Sequence, residues 1–113
     1  MPMDLREEEV GGVTVVQVKG RLDSTTSPVL GERLSAMLSA AKARVLVDFS
    51  QLEYISSAGF RVLLQAAKRA DQSAAKLVLC GVSGKVRQLF DLGGFLDLFP
   101  ITATREEGIA AAG

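Results

Sequence analysis

The run Val45-Leu46-Val47-Asp48-Phe49 constrains the fold of this chain more than any other stretch. It is short, rich in β-branched residues and apolar almost without interruption, which suits a central strand covered on both faces. A second run of this kind, Lys76 to Cys80, stops at Gly81. Between and around these runs the period changes. Leu30, Leu34, Met37, Leu38 and Ala41 recur at intervals of three and four, with Glu32, Arg33, Ser35 and Lys42 on the other faces, as in an amphipathic helix. Ser27-Pro28 marks its start, with Ser27 as N-cap and Pro28 at the first helical position. Gly31 is a tolerated weak point costing about 1 kcal/mol.

A second helix follows the central strand, with an expected buried stripe of Phe60, Leu63, Leu64, Ala67 and Ala74 and with Arg61, Gln65, Lys68, Arg69 and Gln72 exposed. Ser83 can cap a third helix carrying Val86, Leu89 and Phe90, and Gly93-Gly94 supplies its stop. Phe95 to Ile101 reads as a last strand that Pro100 confines to an edge or an end, and Arg105 to Ala112 as a short final helix. At the start, Val13 to Val18 forms a strand ended by Gly20. The Gly11-Gly12 turn favours a hairpin with the weakly encoded, mostly polar Asp4 to Val10. Leu22 to Thr26 is a polar loop. This alternation predicts an α/β domain: a mixed sheet of about five strands, mostly parallel with an N-terminal antiparallel hairpin, packed with about four helices.

Composition narrows the function. A chain of 113 residues is expected to be one domain, residues 1–113, with one core. Thirteen basic and thirteen acidic residues cancel, so the charge excess of a nucleic-acid binder is missing. There is no histidine, which removes Ser-His-Asp triads, Cys-His pairs and the usual zinc sets together. The expectation is a protein that is not an enzyme and needs neither cofactor nor metal. Cys80, the only cysteine, excludes an internal disulfide and fits a reducing compartment as a buried thiol. Met1 to Val10 is acidic without an apolar core, and no run is long enough to span a bilayer, so the expected location is the cytoplasm, without membrane insertion.

The stretch Tyr54-Ile-Ser-Ser-Ala-Gly-Phe-Arg-Val-Leu-Leu64 joins the central strand to the second helix and places Ser56, Ser57 and Gly59 at the junction. A serine there can cap the helix through its hydroxyl oxygen. Alternatively, a phosphoryl group on it would lie against the positive end of the helix dipole and leave the fold intact. In parallel sheets binding sites gather beyond the carboxyl ends of the strands, here the loops Gly20 to Ser27, Ser50 to Gly59 and Gly81 to Lys85. Gly81-Val-Ser-Gly84-Lys85 does not make a phosphate loop: Leu79 stands where the first glycine belongs, and Val86 where a hydroxyl belongs. Asp23 reads as a loop cap, Asp48 as a strand-end hydrogen-bond acceptor, and Arg61, Lys68 and Arg69 as a solvated basic cluster.

Gly20-Arg-Leu-Asp23, then Val45 to Phe49 leading into Tyr54 to Gly59, then Val82-Ser83 through Leu89-Phe-Asp-Leu-Gly93 stand in an order and spacing that resemble the STAS domain over nearly the whole chain. Within that family the chain is similar to the single-domain anti-sigma factor antagonists of bacterial partner switching. The resemblance implies a binding switch. The dephosphorylated antagonist captures an anti-sigma factor that is also a serine kinase, phosphorylation of a serine at the start of the second helix releases it, and a serine phosphatase reverses the modification. The family motif is commonly Asp-Ser-Ser/Thr-Gly. Laid on this chain, Ser56 replaces the Asp, Ser57 is the phosphoacceptor, Ala58 replaces the second hydroxyl and Gly59 matches. Asp23, Ser24, Ser56, Ala58, Gly59 and Arg61 are then the expected partner-binding residues of a monomer. The alternatives are a STAS subunit docked on a membrane transporter, such as a lipid-trafficking ABC system, and a sensory or ligand-binding module.

Overall fold

The structure, a computed structural model, describes residues 3–113; Met1 and Pro2, the start of the acidic N-terminal stretch, lie outside them. Five strands and four α-helices follow the expected alternation. They are β1 (Met3–Val10), β2 (Val13–Leu22), α1 (Ser27–Leu38), β3 (Arg44–Ile55), α2 (Ser57–Gln72), β4 (Lys76–Cys80), α3 (Gly84–Leu92), β5 (Ile101–Thr102) and α4 (Arg105–Ala112). The sheet order is β1-β2-β3-β4-β5, with β1 antiparallel to β2 and every other neighbour parallel. Gly11 and Gly12, both at positive φ, make the hairpin turn that joins the antiparallel pair.

The central run divides the core as its pleat requires. Val45, Val47 and Phe49 point to one face of β3 and pack with α1, α2 and α3 through Leu30, Leu34, Leu63, Phe60 and Phe90. Leu46 points to the other face and packs with Val13, Val15, Val78, Cys80 and, from α4, Ala112. Burial of Cys80, together with the nearby Asp48 charge, pushes its thiol up to about 12, so it is an inert core group.

Several boundaries differ from the sequence expectations. Strand β3 runs on to Ile55 instead of giving way to a loop at Ser50, and β2 runs past Gly20 to Leu22. The register explains why periodicity misses this. Gln17 pairs with Asp48 but Lys19 with Gln51, and Gly20 pairs with Leu52 but Arg21 with Tyr54, so β3 carries one extra residue at each step. Each bulge moves the next apolar side chain from spacing two to spacing three. Phe49, Leu52 and Ile55 therefore share the helix-covered face. In α2 the buried positions are Gly59, Phe60, Leu63, Ala66 and Ala70; Leu64 is exposed, Ala67 is half-buried, and Ala74 lies beyond the helix at positive φ. Ala41 likewise falls after α1 and is exposed. The Phe95 to Ile101 segment forms a single 3-10 turn, Leu96–Leu98, before a two-residue edge strand, because Phe95 turns in to stack on Phe60 with ring centroids 4.2 Å apart. Pro100 immediately precedes that edge strand.

Asp48 lies within β3 rather than at a strand end, since the strand runs on to Ile55. Its Oδ1 accepts the Ser50 N–H at 2.9 Å, while its Oδ2 accepts from Arg105 Nε at 3.1 Å and Nη2 at 2.9 Å. Arg105 also donates to Glu8 of β1 at 2.6 Å, so one guanidinium fastens the start of α4 to two strands. Burial alone would raise the Asp48 carboxyl, but the Ser50 hydrogen bonds and Arg105 hold it below the ordinary value. Because the folded-state value is depressed, this carboxylate stabilises the fold above its unfolded value of about 3.9, and the contribution is lost as pH falls through the folded value. Arg105→Met should lower stability at neutral pH by about 1–3 kcal/mol and flatten the acid limb of the stability curve. Urea titrations from pH 7 downward check this, and an unchanged midpoint at pH 7 would contradict it.

Candidate functional site at the carboxyl edge of the sheet

The ends of β2 and β3 come together at the carboxyl edge. Arg21 and Leu22 pair with Tyr54 and Ile55, and the Ser56 N–H donates to the Leu22 carbonyl at 2.8 Å, so the two loops leave the sheet side by side. The loop after β2 is held by Asp23. Its Oδ1 accepts from the Thr25 N–H at 3.0 Å, the Thr25 hydroxyl at 2.8 Å and the Thr26 N–H at 3.1 Å. The Thr25 hydroxyl and the two backbone N–H groups keep the Asp23 carboxyl below its ordinary value, so the loop carries a negative charge at neutral pH. The Thr26 hydroxyl ties both ends of this loop, donating to the Arg21 carbonyl at 2.7 Å and accepting the Asp23 N–H at 2.9 Å.

That arrangement shifts the start of α1 by one residue. Thr26, not Ser27, occupies the N-cap, and Ser27 is the first helical residue, buried with an unpartnered hydroxyl. Thr26 serves the loop rather than the helix, and gives no side-chain cap bond.

The β3–α2 junction is a single residue. Ser56 is extended at φ −98°, ψ 176°, and Ser57 opens α2. The Ser56 hydroxyl makes no cap bond and is buried without a partner. Ser57 is exposed at the tip of the edge. Its neighbours differ in access: Ser24 and Arg61 are exposed, Asp23 and Ala58 are half-buried, and Gly59 is buried. Gly59 is where the helix sits down on the sheet. A Cβ there would lie 2.7 Å from Ile55 Cγ1 and 3.2 Å from Leu22 Cβ. The structure thus brings Asp23, Ser24, Ser56 and Ser57 to one edge, with Arg61 one turn further along α2.

The basic cluster on α2 is divided. Arg69 reaches across to α1 and donates to Ser39 Oγ at 2.7 Å, and with Lys68 it lines a groove of about 480 Å³ between α1 and α2. Arg61 is in no ion pair among the described residues. Sequence reasoning missed the role of Thr26, although a Thr three residues after an Asp in a polar loop is an available signal for such a turn. No helix of the described residues is long and apolar enough to cross a membrane, and among them no group of metal-ligating side chains is assembled.

Comparison with known proteins gives this geometry a context. The model of the STAS domain matches residues 4–108. BtrV of Bordetella bronchiseptica, named as an anti-sigma factor antagonist, is 37% identical over 109 residues, covering 96% of this chain and 94% of that protein. The crystal structure of an anti-sigma factor antagonist from Mycobacterium paratuberculosis superposes with a TM-score of 0.79 at 25% identity, over 97% of this chain and 93% of that one. The Bacillus cell fate determinant SpoIIAA in its phosphorylated form shares the fold, with a TM-score of 0.70 at 20% identity, over 97% of this chain and all of that one.

The close approach at Gly59 yields a direct expectation. Gly59→Ala should cost about 1–3 kcal/mol, because Ile55 and Leu22 are both core residues that must move to admit the methyl group. Ala58→Ser, half-buried on the same turn, should be nearly neutral. Equal urea midpoints for Gly59→Ala and the parent would contradict the packing described.

Proposed function

The chain belongs to the STAS domain family, and from that premise we propose that it is an anti-sigma factor antagonist acting through a phosphorylation switch at Ser57. In this reading the unmodified protein binds an anti-sigma factor with serine kinase activity, phosphorylation releases it, and a phosphatase restores binding. The exposed hydroxyl of Ser57 at the first position of α2, side by side with the Asp23 loop, is the observation that carries the proposal. The 37% identity to a protein named as an anti-sigma factor antagonist supports it.

The chemistry is done on this protein rather than by it. The Ser57 oxygen attacks the γ-phosphorus of ATP held by the kinase. The bond from that phosphorus to the bridging oxygen breaks, ADP leaves, and the hydroxyl proton passes to a base of the kinase. Nothing in the step requires a histidine, a cofactor or a metal bound to this chain. Ser56 brings a buried hydroxyl to the position of the family's carboxylate, so orientation of Ser57 falls to the backbone: its N–H neighbour is fixed on Leu22 and its helix is seated by Gly59.

Binding and modification use one surface, with Asp23, Ser24, Ser56, Ala58, Gly59 and Arg61 around Ser57. A phosphoserine carries about −1.5 to −2 charges. At the centre of an interface where the partner offers no matching cation it would lower affinity by two or more decades, roughly 3 kcal/mol or more. The location in this reading is the cytoplasm, and the acting unit a STAS monomer spanning residues 1–113.

The test is modification by the cognate kinase with Mg-ATP, followed by site mapping and calorimetry. One phosphoryl group on Ser57 is expected. Ser57→Asp should fold and bind the kinase at least about a hundredfold more weakly than Ser57→Ala. A phosphate on Ser56 or on Thr25 or Thr26 would overturn the assignment to Ser57, and equal affinities for the Ser57 variants would overturn the switch and favour docking on a membrane transporter instead.

A further inference from the structure

We infer that Arg61 is the intramolecular receiver of the phosphoryl group: it closes onto phosphorylated Ser57 and is thereby withdrawn from the exposed surface. This rests on Ser57 as the phosphoacceptor and adds what the protein itself does with the modification. Ser57 and Arg61 are four residues apart on α2 and both are exposed. Side chains on a helix lean toward its N-terminus, so the long Arg61 side chain is within reach of the turn that carries Ser57. An anion placed four residues before a cation is the favourable order along a helix. The guanidinium fork matches two phosphate oxygens, which an ammonium cannot do as well.

The surrounding charges favour this pair. Arg61 is in no ion pair among the described residues, so it gives up no existing bond. Arg69 is held by Ser39 at the C-terminal end of α1, and Lys68 stands eleven residues from Ser57, about 16 Å along the axis. On the sheet side, Arg21 lies over the Tyr54 ring, 4.4 Å from its centroid. The ionised Asp23, next in the chain to the Leu22 that binds Ser56, repels a phosphate from the end of β2. Asp23 on one side and Arg61 on the other therefore direct the phosphate along α2. Phosphorylation then changes the surface twice over: it adds an anion and neutralises the cation that an acidic patch on the partner would meet.

The test needs no kinase. Phosphoserine is installed at position 57 by genetic-code expansion, and the second ionisation of its phosphate, near 6 for an unperturbed phosphoserine, is titrated by phosphorus NMR. The value in the otherwise unaltered protein should lie about 0.3–1 unit below that in Arg61→Gln, and Lys68→Gln should leave it unchanged. Equal values for the unaltered chain and Arg61→Gln, or an equal displacement in Lys68→Gln, would overturn the inference. A kinase that never modifies Ser57 would defeat the proposed switch while leaving this titration as it stands, so the two failures are separable.

Discussion

The seating of α2 on the ends of β2 and β3 is the constraint on which the rest of the structure depends. At Gly59 the helix backbone comes so close to Ile55 and Leu22 that no side chain fits between them. The Ser56 N–H completes the joint on the Leu22 carbonyl. With one residue between strand and helix, the direction of α2 and the position of its first side chain are set together. Ser57 is thus exposed at the end of a one-residue connection. The same seating presses Phe60 between Phe90 and Phe95, with centroids 4.9 Å and 4.2 Å away, so the first turn of α2 is continuous with the main core.

This rigidity bears on how a modification acts. A phosphate at Ser57 would meet solvent on one side and the first turn of a helix on the other, where negative charge is tolerated. The sheet beneath it is held from its far face by an unrelated device, the Arg105 guanidinium shared between Asp48 and Glu8. In the proposed switch, charge added at the carboxyl edge would therefore alter what the surface offers a partner and leave the packing alone.

How much of this was legible in the sequence follows from local physics. The apolar runs of β3 and β4 and the period of α1 placed the layers, because a strand buried on both faces and a helix buried on one leave unlike patterns. The second half of β3 was hidden: two bulges stretch Phe49, Leu52 and Ile55 to a spacing that belongs to neither a flat strand nor a long helix. The stripe of α2 was misplaced after Leu63, since Ala66 and Ala67 differ only in position and alanine gives periodicity little to work with. At the site, the adjacency of the Asp23 loop and Ser57 could be read from topology, since both leave the same edge of a parallel sheet. The transfer of the α1 cap from Ser27 to Thr26 could not. It depends on a hydroxyl recruited by Arg21 and Asp23, and the Asp48–Arg105 bond joins residues 57 positions apart.

The central claim is that modification at Ser57 rewrites a surface on an unchanged scaffold. Amide hydrogen exchange, followed by NMR on the unmodified protein and on the protein with phosphoserine at position 57, tests it most directly. The account predicts altered shifts and protection confined to the Asp23–Ser27 loop and the Ile55–Val62 turn, with β3 and β4 as protected as before. Loss of protection across Val45–Phe49 and Leu77–Cys80 in the phosphorylated protein would contradict it.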